Sequence, residues 1–204
     1  MKLLFENWRK YLTEVQDSCP DDVYWHGTSA DFEGNVRASQ AHDHSENPCQ
    51  NENAVYAFKT RDEAVLAGLV EGSKDNHWGK VFLRSNVEWK LVIVNAEIRK
   101  GQQIYLYKLP GDGGQDGIPF EECKGTGDEK TGKGIEYIST KPKDWNEEAN
   151  GPYGITPCGK EVVSVDDWLH LTRYAEKEDL EWYKQYDDVT EEDLEFLRSK
   201  GSDV

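Results

Sequence analysis

The stretch from Ala54 to Val70 sets the tightest limit on the fold. Ala54-Val55-Tyr56-Ala57-Phe58 is an apolar run of strand length, Thr60 is a residue type that caps helices, and Asp62 and Glu63 suit the positive end of a helix dipole. An Ala/Leu/Val run from Ala64 to Val70 follows at once. Strand, cap and helix in immediate succession predict a mixed α+β chain.

Other segments extend this pattern. Val23 to His26, Lys80 to Arg84, Leu91 to Glu97, Ile104 to Lys108 and Ile135 to Ser139 are predicted strands, and the nearly all-apolar Leu91 to Glu97 is expected to be central. In Ile135 to Ser139, alternation puts Glu136 and Ile138 on one face and Ile135 and Tyr137 on the other. Residues 33 to 53 are polar and loop-like, and the glycine-rich segment from Gly111 to Gly134 is predicted to be a flexible loop. At the start, Leu4, Trp8, Tyr11, Leu12 and Val15 recur at helical spacing, which predicts an amphipathic helix that must dock on something. Beyond residue 160 the pattern turns helical, at Val165 to Tyr174, Glu178 to Tyr186 and Thr190 to Lys200, the last opening on an acidic capping box from Thr190 to Asp193. The chain thus divides into an N-terminal helix (1–18), a core (19–160) and an acidic helical extension (161–204).

Charge narrows the partners. The 204 residues carry 24 Lys+Arg against 40 Asp+Glu, a net charge of −16, of which residues from 161 onward contribute −9. Such a surface repels phosphate backbones and anionic headgroups, so extended binding to nucleic acid or a lipid surface is not expected. Mean hydropathy is −0.84, yet aromatic residues make up 11% of the chain, which favours a folded domain with a lean aromatic core over disorder. No apolar run approaches the roughly 20 residues of a membrane span, and Met1 to Leu12 lacks the apolar stretch and cleavage site of a secretory signal. Cys19, Cys49, Cys123 and Cys158 form no CxxC pair, so reduced thiols in a cytoplasm are expected. His42, Asp43, His44 and Cys49 match tetrahedral ligand spacing poorly, and no metal is expected.

Three segments resemble, in order, the motifs of the ADP-ribosyltransferase fold. Tyr24-Trp25-His26-Gly27-Thr28-Ser29 resembles its first motif, which implies that the His26 side chain holds the nicotinamide-side ribose of NAD. Backbone groups around Gly27 and Thr28 would then bind the nicotinamide amide, where a missing Cβ permits close approach. Val55-Tyr56-Ala57-Phe58-Lys59-Thr60-Arg61-Asp62-Glu63-Ala64 resembles the tyrosine strand and following helix, and looks particularly like the small rifamycin-modifying members. This implies that Tyr56 stacks on nicotinamide, a flat cationic ring suited to an aromatic face. Ile135-Glu136-Tyr137-Ile138 resembles the catalytic-glutamate strand of the diphtheria-toxin and poly-ADP-ribose polymerase branches. There a carboxylate stabilises the oxocarbenium-like cation formed as nicotinamide leaves, and it can help to deprotonate the acceptor.

The resemblance covers about residues 23 to 140 and implies a split-sheet mono-ADP-ribosyltransferase core at 19–160, with NAD as substrate, a protein or small molecule as acceptor, and no metal. Arg37 is a candidate pyrophosphate contact and Lys59 a weaker one. The helix after the tyrosine strand offers Leu66 and Leu69 where toxin-like members have a second aromatic, and Gly134 stands where arginine-modifying branches have Glu or Gln. In the rifamycin-modifying enzymes the third residue is an aspartate after a strand, a role that Asp112 or Asp116 could imitate, although Glu136 is favoured because it lies in a strand. The loop before Glu136 is the expected source of target choice. A second reading is an inactive binding module or virion structural protein on the same fold, and a third is RNA 2′-phosphate transfer, which the acidity disfavours. Met1 to Leu12 looks similar to the starts of proteins encoded by tailed bacteriophages, which implies an effector in the host cytoplasm or a protein of the virion.

Overall fold

Thr60 ends one element and begins the next. Its Oγ1 accepts a hydrogen bond from the Glu63 amide at 3.3 Å, and the chain passes from strand into helix with one free amide satisfied. A computed structural model describes residues 19–40, 49, 52–71, 80–85, 89–113, 118–124, 136–184 and 188–204. The predicted N-terminal helix, His42 and His44, Asp116 and most of the glycine-rich loop lie outside these residues.

In chain order the first elements are β1 (Val23–Thr28), β2 (Val36–Arg37), β3 (Ser39–Gln40), β4 (Asn53–Phe58), α1 (Arg61–Gly68), β5 (Val70–Glu71), β6 (Lys80–Ser85) and β7 (Trp89–Asn95). Then come β8 (Glu97–Ile98), β9 (Gln103–Pro110), β10 (Glu121–Glu122), β11 (Glu136–Thr140), α2 (Glu147–Asn150), β12 (Gly154–Ile155) and β13 (Gly159–Ser164). A 3-10 turn over Val165–Leu171, β14 (Thr172–Tyr174), α3 (Lys177–Tyr183) and α4 (Glu191–Ser199) complete the chain. The fold is mixed α+β, with mostly strands and few helices.

Among the described residues the main sheet runs β10-β11-β4-β1-β9-β13, with β3 also paired to β4. A three-stranded sheet, β14-β7-β6, lies beside it across α1. The apolar residues of α1 (Ala64, Val65, Leu66) and Leu69, which caps its C-terminus, pack between Ile104 and Leu106 of the main sheet and Leu91 and Ile93 of β7. On the other face of β7, Val92 and Val94 meet Leu180 and Tyr183 of α3 and Leu197 of α4. Both faces of β7 are therefore buried from Leu91 to Val94, which explains the apolar run there and its central place between β6 and β14. The far face of the main sheet buries Tyr24, Val55, Tyr107 and Leu109 against Val36, Tyr153 and Ile155 of the small β2–β12 sheet and its neighbours.

The C-terminal segment departs from its expected form. Val165 to Tyr174 is not an α-helix: it makes a 3-10 turn and then β14, which pairs in parallel with β7 from Leu91 to Ile93. The division at 160/161 falls inside β13, which pairs with β9 from Gly159 to Ser164. α3 and α4 cover the outer face of the three-stranded sheet, and each buried leucine or tyrosine there contributes about 1.5–3 kcal/mol. Their excess negative charge is also partly used inside: Asp179 and Asp193, the third residues of their helices, are buried at 3% and 2% exposure.

The cysteines also differ from expectation. Cys19 is bonded to Cys158 and Cys49 to Cys123, so none is a free thiol. The fold brings residues far apart in sequence to Cα separations of 5.1 and 5.6 Å, inside the range a disulfide spans. No helix among the described residues is long and apolar enough to cross a membrane.

Candidate functional site

The three motif strands are neighbours. β11 pairs with one edge of β4 along its length, from Glu136 opposite Phe58 to Thr140 opposite Ala54. On the other edge β4 meets β1 at a single rung, Trp25 opposite Phe58, and farther along meets β3 at Ala54 and Asn53. β1 instead stays with β9 for its whole length, from Val23 opposite Pro110 to Thr28 opposite Tyr105. The sheet consequently forks between β1 and β4, and β3 takes up the edge of β4 that β1 has left.

His26 is the first residue past the last shared rung. Its Nδ1 lies 2.7 Å from the Tyr56 carbonyl oxygen, so the imidazole bridges the fork where a ladder hydrogen bond would otherwise be. The carbonyl has no proton to give, which makes Nδ1 the protonated nitrogen and leaves Nε2 with a lone pair. Burial lowers the His26 pKa, and the bond to Tyr56 restores only part of the loss. The ring is therefore neutral at physiological pH, a rigid hydrogen-bond acceptor at Nε2.

Register fixes the faces. Tyr56 lies opposite Ile138, and Glu136 lies opposite Phe58, so Tyr56 and Glu136 share a face of the β4–β11 pair two positions apart. His26, paired with Tyr107 on β9, alternates to the other face, and only its bond across the fork joins it to Tyr56. The Tyr56 hydroxyl donates toward the carbonyls of Glu52 at 2.7 Å and Cys49 at 3.1 Å, which tethers the ring to the segment before β4. The Glu136 carbonyl accepts from the Cys123 amide at 2.9 Å, and Trp25 and Phe58 continue the Glu136 rung across the sheet.

Gly27 has a structural duty beyond the one the sequence suggests. A Cβ there would stand 2.0 Å from the Ala64 carbonyl oxygen, so what approaches its bare backbone on that side is α1. Gly68 answers from the helix, where a Cβ would lie 3.4 Å from the Gly27 carbonyl carbon. Thr28 closes the strand, and its Oγ1 accepts from the Ala30 amide at 3.1 Å.

Other expected contributors stand elsewhere. Arg37 is exposed on β2, opposite Gly154, and its neighbour Val36 packs against Val55 of β4. Lys59 is engaged by an ion pair with Asp22 and lies 4.2 Å above the Tyr24 ring, which raises its pKa chiefly through the Asp22 hydrogen bond. Leu66 and Leu69 are wholly buried in the core rather than facing a ligand. Among the described residues no cluster of His, Cys, Asp and Glu could hold a metal ion. The fork and the Cys49–Cys123 bond are the features that sequence reasoning missed; neither has a local signature, because each arises from register between distant segments. Comparison with protein-family models, curated proteins and solved structures gives no match to this chain.

Proposed function

We propose that the chain is a mono-ADP-ribosyltransferase that cleaves NAD and passes ADP-ribose to a nucleophile on a protein or small molecule. The observation that carries this reading is the pairing of β4 with β11, which sets Tyr56 and Glu136 two positions apart on one face of the sheet. His26 lies on the opposite face, and its Nδ1 bond to the Tyr56 carbonyl fixes the backbone from which the Tyr56 ring projects. Tyr56, tethered through its hydroxyl, offers a ring of fixed orientation for stacking on nicotinamide.

The chemistry asks for one anion. The bond between ribose C1′ and the nicotinamide nitrogen breaks, nicotinamide departs with the bonding pair, and positive charge builds on the ribose. The Glu136 carboxylate stabilises that charge, and the acceptor attacks C1′ and loses its proton to base. Placing the carboxylate on a strand paired over five residues limits its reorganisation, which is where such electrostatic stabilisation gains its size.

The test is turnover with purified full-length protein. Glu136→Ala and Glu136→Gln should lower nicotinamide release by about 100- to 1,000-fold, while calorimetry shows NAD binding within a few-fold of wild type. Equal rates in wild type and Glu136→Ala would sink the reading. Binding without any turnover in wild type would instead indicate an inert NAD-binding module.

A further inference from the structure

Resting on that reading, we infer that the Cys49–Cys123 disulfide is a positioning element of the candidate site, and that its reduction switches the site off. Three observations converge on it. The Cys49 carbonyl accepts from the Tyr56 hydroxyl at 3.1 Å, so one half of the bridge anchors the end of the tyrosine ring. The Cys123 amide donates to the Glu136 carbonyl at 2.9 Å, so the other half anchors the first residue of β11. The bridge itself joins segments 74 residues apart, just before the tyrosine strand and just before the segment leading to the glutamate strand. One covalent bond thereby holds both candidate residues by their backbone surroundings.

The reductive step is an ordinary dithiol exchange. A thiolate of a dithiol reductant attacks one sulfur, the Cys49–Cys123 bond breaks, and a mixed disulfide forms. The reductant's second thiol then closes its own disulfide, and two electrons and two protons end on the two cysteines. After that, Cys49 is no longer covalently joined to Cys123, and the Tyr56 hydroxyl bonds to a carbonyl that the bridge no longer fixes. Cys123 is wholly buried, so its bond opens to a reductant at the half-buried Cys49.

Hydrogen exchange on the full chain tests this without relying on turnover. In Cys49→Ser/Cys123→Ser, and in wild type with excess dithiol, amides of residues 52–58, 121–124 and 136–140 should exchange about tenfold faster, with β9 and β13 unchanged. Unchanged exchange at 52–58, 121–124 and 136–140, or equal acceleration in β9 and β13, overturns the inference. If the double variant does not fold, the dithiol-treated wild type supplies the same comparison. Nicotinamide release should fall about tenfold or more in both samples, through kcat rather than through loss of folded protein. Dithiol should then leave the double variant unaffected; a double variant as active as wild type that dithiol still inactivates would assign the sensitivity to Cys19–Cys158 and overturn the inference. A wild type that releases no nicotinamide defeats the proposed function and leaves the exchange result to decide this point.

Discussion

Asp193→Ala should lower stability by about 3–5 kcal/mol, the usual cost of removing one partner from a buried ion pair. Its carboxylate accepts from the Thr190 amide at 2.8 Å, the Thr190 hydroxyl at 2.9 Å, the Lys80 ammonium at 2.9 Å and the Asn95 amide at 2.9 Å. Alanine removes the side-chain half of the capping box, leaving the Thr190 amide without its acceptor, and leaves Lys80 and Asn95 facing an apolar side chain at the base of β6 and β7. For a chain of this size the melting temperature should drop by about 6–20 °C. Asp193→Asn keeps the shape and some acceptor capacity, so it should fall between alanine and wild type. A melting temperature for Asp193→Ala within about 2 °C of wild type, the effect of a neutral surface change, would show that the network contributes nothing.

The same residue predicts a pH dependence with a definite sign. Burial alone would raise the Asp193 pKa, but Lys80, Thr190 and Asn95 outweigh it and hold the carboxyl below its ordinary value. Asp179 behaves likewise: burial opposes, while Arg173, the Glu176 amide and Arg84 prevail. Both groups are ionised in folded and unfolded chains above the ordinary carboxylate range, and their contribution is complete there. As pH falls below about 4 the unfolded chain takes up protons more readily than the folded one, so stability drains away through the lowered folded values. Melting scans from pH 7 downward should show that loss shrink in Asp193→Ala.

Gly27→Ala should be the most damaging small substitution in the motif strands. Its φ is not in the left-handed region, so the cost is purely one of space: the new Cβ meets the Ala64 carbonyl oxygen at 2.0 Å, and that atom belongs to helix backbone. Either α1 moves off the sheet or β1 shifts away from it. Overpacking of this kind costs about 1–3 kcal/mol or more. A shift of β1 would also stretch the 2.7 Å bond from His26 to Tyr56, so activity should fall further than stability alone predicts. Gly68→Ala presses on a side chain, Ile104 Cδ1 at 3.2 Å, before it meets backbone, and should cost less. Comparing the two by thermal melting and nicotinamide release separates packing from positioning; equal losses of activity at equal stability would remove the special role of β1.

What could be read from the sequence was local. The strands around Tyr24, Tyr56, Ile93 and Leu106 announced themselves by apolar runs, and Thr60 and Thr190 announced their helices by side chains that cap nearby amides. Thr172–Tyr174 was misleading because its apolar neighbours fit a helix equally well, and the open edge of β7 decided for a strand. The capping box at Asp193 was visible, but its burial was not, because the partners Lys80 and Asn95 lie about a hundred residues earlier. The candidate site followed the same division. His26, Tyr56 and Glu136 stood out individually, whereas the fork that joins the first two depends on where β1 stops pairing with β4.

Strand order also determines when the core can close during synthesis. β1 emerges early, yet the strand that pairs along its whole length is β9, and β9 has its second edge bare until Gly159–Ser164 is made. Cys19 waits for Cys158, 139 residues later. Pairings this distant in sequence must overcome loop-closure entropy before any contact rewards them, so folding is slow and belongs to the end of translation. A nascent chain stopped short of Ser164 presents an unpaired, largely apolar strand to whatever else is in solution, which makes late truncation more hazardous for this protein than for one built from neighbouring hairpins.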